Sequence, residues 1–116
     1  MADIEGKSNI VLIGMPASGK STIGVLLAKR LGYSFVDADL VIQEQQGKLL
    51  KEIIAERGQE GFLLVEEEVN AALQVQRSVI SPGGSVIYGK RAMEHLKDIG
   101  TVVYLKLEYK DLEARL

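Results

Sequence analysis

Gly14-Met15-Pro16-Ala17-Ser18-Gly19-Lys20-Ser21-Thr22 decides the reading of this chain, because it matches the pattern G-x-x-x-x-G-K-[ST] at every fixed position. Gly14 and Gly19 allow positive φ and close backbone approaches that a Cβ would block, so successive N–H groups turn inward around a phosphate. Lys20 then reaches the β- and γ-phosphates, and Ser21 offers a hydroxyl to Mg²⁺. The helix that starts near Lys20 points its partially positive end at the same anion. The residues expected to hold the nucleotide phosphates are therefore Gly14, Ala17, Ser18, Gly19, Lys20, Ser21 and Thr22. At average residue frequencies a chain of this length meets the pattern by accident roughly once in 200.

The flanking residues supply the context that the motif needs. Asn9-Ile10-Val11-Leu12-Ile13 is a β-branched apolar run, and Thr22 to Leu31 has helical spacing up to Gly32, which suits a left-handed helix cap. Tyr33-Ser34-Phe35-Val36 predicts a second strand leading into Asp37-Ala38-Asp39, where Asp37 caps a helix running from Leu40 to Gln46. A short helix over Lys48 to Arg57 is closed by Gly58. From Gln59 to about Gln76 the apolar Phe62, Val65, Val69, Ala72 and Leu73 recur at three and four, with Glu66, Glu67, Glu68 and Asn70 on the other faces. Ser78-Val79-Ile80-Ser81 predicts a third strand ending in Pro82-Gly83-Gly84-Ser85. A helix over Lys90 to Lys97 stops at Gly100, Thr101 to Leu105 predicts a fourth strand, and Tyr109 to Leu116 begins a further helix.

Strands alternating with helices at this spacing predict an α/β three-layer fold, a parallel sheet with right-handed crossovers covered on both faces. Ligands in such folds bind at the carboxyl ends of the strands. One rim then carries the phosphate loop, Asp37 with Asp39, and Gly83-Gly84-Ser85. Beside a phosphate loop, two carboxylates offer a metal ligand and a base; the plainer reading is a helix cap and a solvated neighbour.

Composition excludes several classes. The 116 residues are 47% hydrophobic and 26% charged with a formal net charge of −2, ordinary for one domain and without the basic footprint of a nucleic-acid binder. No cysteine is present, which removes disulfides, thiolate metal sites and cysteine nucleophiles. Met1-Ala2-Asp3-Ile4-Glu5 lacks the basic start and apolar segment of a leader, and no apolar run is long enough to span a membrane. A cytoplasmic monomer without nucleic-acid or membrane partners is the expectation, and His95, in a mostly polar helical stretch, reads as a solvated surface residue.

With the phosphate loop, Asp-x-Asp after the second strand and a glycine-rich turn after the third, the sequence resembles the shikimate kinases of the nucleoside-monophosphate-kinase-like, P-loop group. Gly-Met-x-x-x-Gly-Lys-Ser-Thr-Ile-Gly, Leu-Ala-Lys-Arg-Leu-Gly-Tyr, Phe-Val-Asp-x-Asp, Gly-Phe-x-x-x-Glu and Val-Val-Tyr-Leu fall in family order over nearly the whole chain. The resemblance implies transfer of the ATP γ-phosphoryl to a hydroxyl of a small metabolite, shikimate first. It gives Lys20 the transferring phosphoryl, Ser21 and Asp37 the Mg²⁺, and Asp39 the acceptor hydroxyls. Gly83, Gly84 and Glu66 fall beside the acceptor, and Arg115 falls where an arginine stacks on adenine.

Three departures accompany the resemblance. Leu63 stands where the family has an arginine for the acceptor's carboxylate, leaving Glu66 on the same helical face without that cation; Lys90 or Arg91 then becomes the candidate positive partner. Ser85 replaces the third glycine of the turn and Pro82 precedes it. Residues 1–116 read as one kinase domain truncated before the lid and the last strand and helix of the family, which would leave apolar sheet edge uncovered and lower stability. A kinase of another alcohol on the same fold and a nucleotide-binding module without turnover are the alternative readings.

Overall fold

Isoleucine, valine and leucine runs bounded by glycine and aspartate become short parallel strands here, and their two side-chain sets feed two different helical layers. The computed structural model describes residues 8–14, 20–83 and 86–105. The elements in chain order are β1 (Asn9–Gly14), α1 (Lys20–Leu31), β2 (Ser34–Asp37), α2 (Ala38–Gln46), α3 (Leu50–Ala71), β3 (Ser78–Ser81), a single 3₁₀ turn (Val86–Tyr88), α4 (Lys90–Ile99) and β4 (Gly100–Leu105). The strands form a four-stranded sheet in the order β2-β3-β1-β4, with every pair parallel. The expected three-layer architecture is thus the observed one. The predicted helix over Tyr109 to Leu116 lies outside the described residues.

Alternation along the strands divides the core. Val11, Ile13 and Ile80 point to one face, where Val86 and the α4 residues Ala92 and Leu96 cover them, with Val36 and Val102 packed alongside. Leu12 and Val79 point to the other, against Ala28 of α1, with Ile10, Phe35 and Leu105 around them. A third cluster, Ile42, Ile53, Phe62, Val65 and Val69, locks α2 onto α3. Burial on both faces explains why these strands read as continuous apolar runs. β4 stands at the end of the described sheet, and its Val103 and Tyr104 are exposed.

Several boundaries move relative to the sequence reading. α2 begins at Ala38 directly after its cap, and α3 begins at Leu50, where Glu52 accepts the Leu49 N–H at 2.9 Å. The α3 span holds two helices that meet at Gly58, as expected, because its φ of 77° and ψ of 173° are not helical and only glycine takes them without strain. The second stretch stops at Ala71 rather than Gln76. Leu73 is buried all the same, because the chain after α3 turns under α4.

Two polar expectations are corrected. Glu66 and Asn70, placed on outward faces by periodicity, are 5% and 0% exposed, because α3 packs against both α2 and α4 and so has two buried sides. The Asn70 amide donates to the Glu66 carbonyl at 2.8 Å, while its Oδ1 is buried without a partner among the described residues. His95 is half-buried rather than solvated, and its Nε2–H donates to the Leu73 carbonyl. That bond ties α4 to the segment leaving α3.

At the amino end of the sheet, buried Asn9 holds three elements together. Its Nδ2 donates to the carbonyls of Val75 and Ile99, both at 2.9 Å, and its Oδ1 accepts the Ser78 N–H at 3.0 Å. Asn9→Ala leaves three backbone groups to find other partners in a dry setting, an expected loss of about 3 kcal/mol. The shift of the denaturant midpoint measures it; a change below about 0.5 kcal/mol, the level of an ordinary surface substitution, would show that water replaces the amide.

Candidate active site at the carboxyl rim of the sheet

β1 ends at Gly14 and α1 opens at Lys20, so a strand precedes the phosphate motif and a helix follows it, as the motif demands. Lys20 and Ser21 form the start of α1, and Thr22 follows as an exposed residue of the same turn. Ala17, Ser18 and Gly19 lie outside the described residues, as do Gly84, Ser85 and Arg115. The β1–α1 junction, the end of β2 and the end of β3 all open on the same rim. Parallel register requires this: Val11 pairs with Ile80, Val36 pairs with Ile80, and Asp37 pairs with Ser81.

Asp37 is extended, with φ −101° and ψ 113°, and its Oδ1 accepts the Asp39 N–H at 2.9 Å. This is the N-cap of α2 read from the sequence. The cap occupies one carboxylate oxygen and leaves Oδ2 for another ligand. Asp39, in the first turn of α2, is half-buried beside it. Both aspartates stand at the rim on which β1 hands over to α1. A hard cation such as Mg²⁺ binds through one or two carboxylates plus phosphate oxygens and water, and this donor set fits it.

Across the rim the structure brings Glu66 of α3 and Gly83 together. A Cβ built on Gly83 would lie 2.0 Å from Glu66 Oε2 and 2.6 Å from its carboxyl carbon. Glycine at 83 is thus a requirement of close approach, since the neighbouring carboxylate is buried and has little room to swing away. Its neighbour Glu67 repeats the arrangement: a Cβ on Gly89 would lie 2.9 Å from Glu67 Oε2. Consecutive glutamates of α3 are seated against the two glycines that bracket the β3–α4 connection.

A cavity of about 590 Å³ opens beside these contacts, lined by Leu63, Glu66 and Glu67 of α3 and by Val86, Tyr88 and Gly89. Leu63 and Glu66 share it, as their spacing on the helix predicts. Lys90 and Arg91, the candidate cations for an acidic acceptor, are exposed at the start of α4 and are not among its lining residues. The sequence reading did not single out Glu67 or Tyr88. An aromatic residue in the short connection between a strand and a helix was the available signal.

The shikimate kinase family model matches residues 16–116. The chain belongs to the shikimate kinase family. It is 47% identical over 110 residues to the shikimate kinase of Chlorobium chlorochromatii, covering 94% of this chain and 58% of that protein. With the shikimate kinase of Clostridium botulinum strain Okra it shares 46% identity over 93% of its own length and 64% of the relative's. The chain thus spans about three-fifths of the length of these shikimate kinases.

Among solved structures, the shikimate kinase of Acinetobacter baumannii in complex with shikimate superposes with a TM-score of 0.83 at 34% identity, over 96% of this chain and 63% of that one. The Aquifex aeolicus shikimate kinase gives 0.77 at 34% identity, over 88% and 61%. A gluconokinase from Sinorhizobium meliloti, 19% identical with a TM-score of 0.57 over 95% and 63%, shares the fold. Among the described residues, no helix is long and apolar enough to cross a membrane.

Proposed function

We propose that this chain carries the nucleotide- and acceptor-binding part of a kinase that transfers the γ-phosphoryl of ATP to a hydroxyl of a small metabolite, with shikimate the first candidate. The observation that supports this most strongly is the meeting, on one rim, of the β1–α1 phosphate motif with Asp37 and Asp39 in a member of the shikimate kinase family. A shikimate kinase that superposes with a TM-score of 0.83 was solved with shikimate bound. The domain read over 1–116 is proposed to be one kinase domain. Work in the cytoplasm as a monomer is part of the same proposal, and a cysteine-free sequence suits a reducing compartment.

Each residue then has a task. Lys20 and the N–H groups of the loop neutralise the phosphoryl being transferred, where positioning and charge matter more than covalent help. Mg²⁺ held by Ser21 and Asp37 would supply further charge neutralisation on the phosphate oxygens. Asp39 accepts a hydrogen bond from the attacking hydroxyl, orients it and can take its proton. Gly83 presents backbone to the acceptor, with Glu66 fixed behind it. Arg115 is proposed to stack on the adenine.

Leu63 makes a measurable difference to this scheme. Leucine cannot pair with a carboxylate, so the full-length protein is expected to use shikimate with a high KM, and Leu63→Arg should lower that KM about tenfold. A bidentate guanidinium pair is worth ~1.5–3 kcal/mol, part of which is lost in ordering the side chain. Steady-state kinetics with shikimate varied, and ³¹P NMR of the product, test both the activity and the residue. Absence of any phosphorylated product with ATP and shikimate would refute the acceptor. An ordinary KM unchanged by Leu63→Arg would show that another cation, Lys90 or Arg91, holds the acid.

A further inference from the structure

We infer that Gly24 is a positioning residue for the metal–nucleotide site: without a Cβ it lets the Phe35 ring lie against α1, and that contact sets how far the start of α1 stands from Asp37. The inference rests on the kinase reading for what binds at the rim. Gly24 is buried in the middle of α1, where glycine is a poor helix former, so a reason other than propensity is needed for it. A Cβ built there would lie 2.5 Å from Phe35 Cε1, 3.2 Å from Phe35 Cδ1 and 3.3 Å from Leu12 Cδ1. Carbon atoms in good contact stand about 3.5–4.0 Å apart. The ring has little room to yield, since Phe35 packs on the cluster of Leu12, Ala28 and Val79.

This one contact joins the two halves of the proposed Mg²⁺ site. Lys20 and Ser21 stand about one helical turn before Gly24. Asp37 stands two residues after Phe35; because Val36 packs on the α4 side of the sheet and Phe35 on the α1 side, alternation places Asp37 on the α1 side as well. A methyl group at position 24 would push α1 away from β2, and residues 20 and 21 would move with it. Mg²⁺ demands near-octahedral geometry at about 2.0–2.1 Å, so ligands drawn from α1 and from the end of β2 cannot part by a similar distance and still share it. A nucleotide without metal does not bridge the two elements, and its affinity should change little.

Calorimetric titration of the full-length protein with a non-hydrolysable ATP analogue, once with Mg²⁺ and once with a chelator, measures the affinity gained through the metal. Gly24→Ala is expected to cut that gain about tenfold, to leave the affinity in chelator within about twofold, and to raise the Mg²⁺ needed for half-maximal rate about tenfold. Phe35→Leu should keep the wild-type Mg²⁺ dependence, and adding it to Gly24→Ala should restore the gain, because the shorter side chain vacates the place of the ring. Phe35→Trp overfills the same gap from the strand side, should reproduce the loss, and replaces Gly24→Ala if that variant does not fold. An unchanged gain in the overfilled variant, an equal loss with and without metal, or a loss that Phe35→Leu does not relieve would overturn the inference. A wild-type protein that gains affinity through Mg²⁺ yet phosphorylates nothing would remove the kinase reading and leave this inference standing.

Discussion

In the full-length protein, Lys20→Ala is expected to lower kcat for phosphoryl transfer about a thousandfold and to raise the KM for ATP. The transition state for this transfer carries its charge on the phosphoryl oxygens, and an enzyme lowers its energy chiefly with cations and N–H groups already in place. Removing one preorganised donor of this kind from an acyl-transfer site lowers the rate by about 10²–10³. The lysine of a phosphate loop brings a full charge as well as a donor, so the upper end of that range applies. The position is set by chain geometry: β1 stops at Gly14 and α1 begins at Lys20, which puts residue 20 at the amino end of the helix. Single-turnover measurements with ATP in excess separate the chemical step from nucleotide binding. Turnover within about threefold of wild type would remove the kinase assignment.

Asp39→Asn comes second, with an expected drop in kcat of about a hundredfold at nearly unchanged ATP affinity. General-base assistance contributes roughly 10²–10⁴, and asparagine keeps the size of the side chain and a hydrogen-bonding oxygen while losing the capacity to take a proton. The cap geometry makes Asp37 the informative contrast. Asp37 Oδ1 is committed to the Asp39 N–H at 2.9 Å, so Asp37→Asn keeps the start of α2 if the amide oxygen turns inward, but loses the charge on the remaining atom. That variant should need more Mg²⁺ for half-maximal rate, with acceptor KM little changed. Metal and acceptor titrations of the two variants form a crossed pair. If both substitutions shift only the ATP KM, the division of labour between the two aspartates is wrong.

Much of the fold and part of the site could be read before any coordinates. Glycine spacing around Lys20 announced a strand, a loop and a helix, and the apolar runs near residues 10, 35, 79 and 102 announced strands, of which β1 and β3 at the centre of the sheet are buried on both faces, because parallel sheets between helical layers leave no polar side to alternate with. Asp37 was legible as a cap because its partner is the N–H two residues along the chain. Interactions this local depend on sequence separation alone. The shared wall of Leu63 and Glu66 was legible for the same reason, three residues being about one helical turn.

What only the tertiary structure decided were contacts between elements distant in the chain. Periodicity told which residues of α3 share a face, yet Glu66 and Asn70 were read as outward because nothing in one helix's pattern reveals that a second helix packs on its polar side. Asn9 gave no signal at all, since its three partners lie on the chain near residues 75, 78 and 99. His95 was read as solvated until the segment after α3 proved to run beneath it. The seating of Glu66 on Gly83, and the cavity between α3 and the start of α4, arise the same way. A helical turn or a cap is fixed by bonds spanning four residues or fewer, whereas strand pairing and the burial of a polar side chain depend on whichever distant element comes to lie beside or over it.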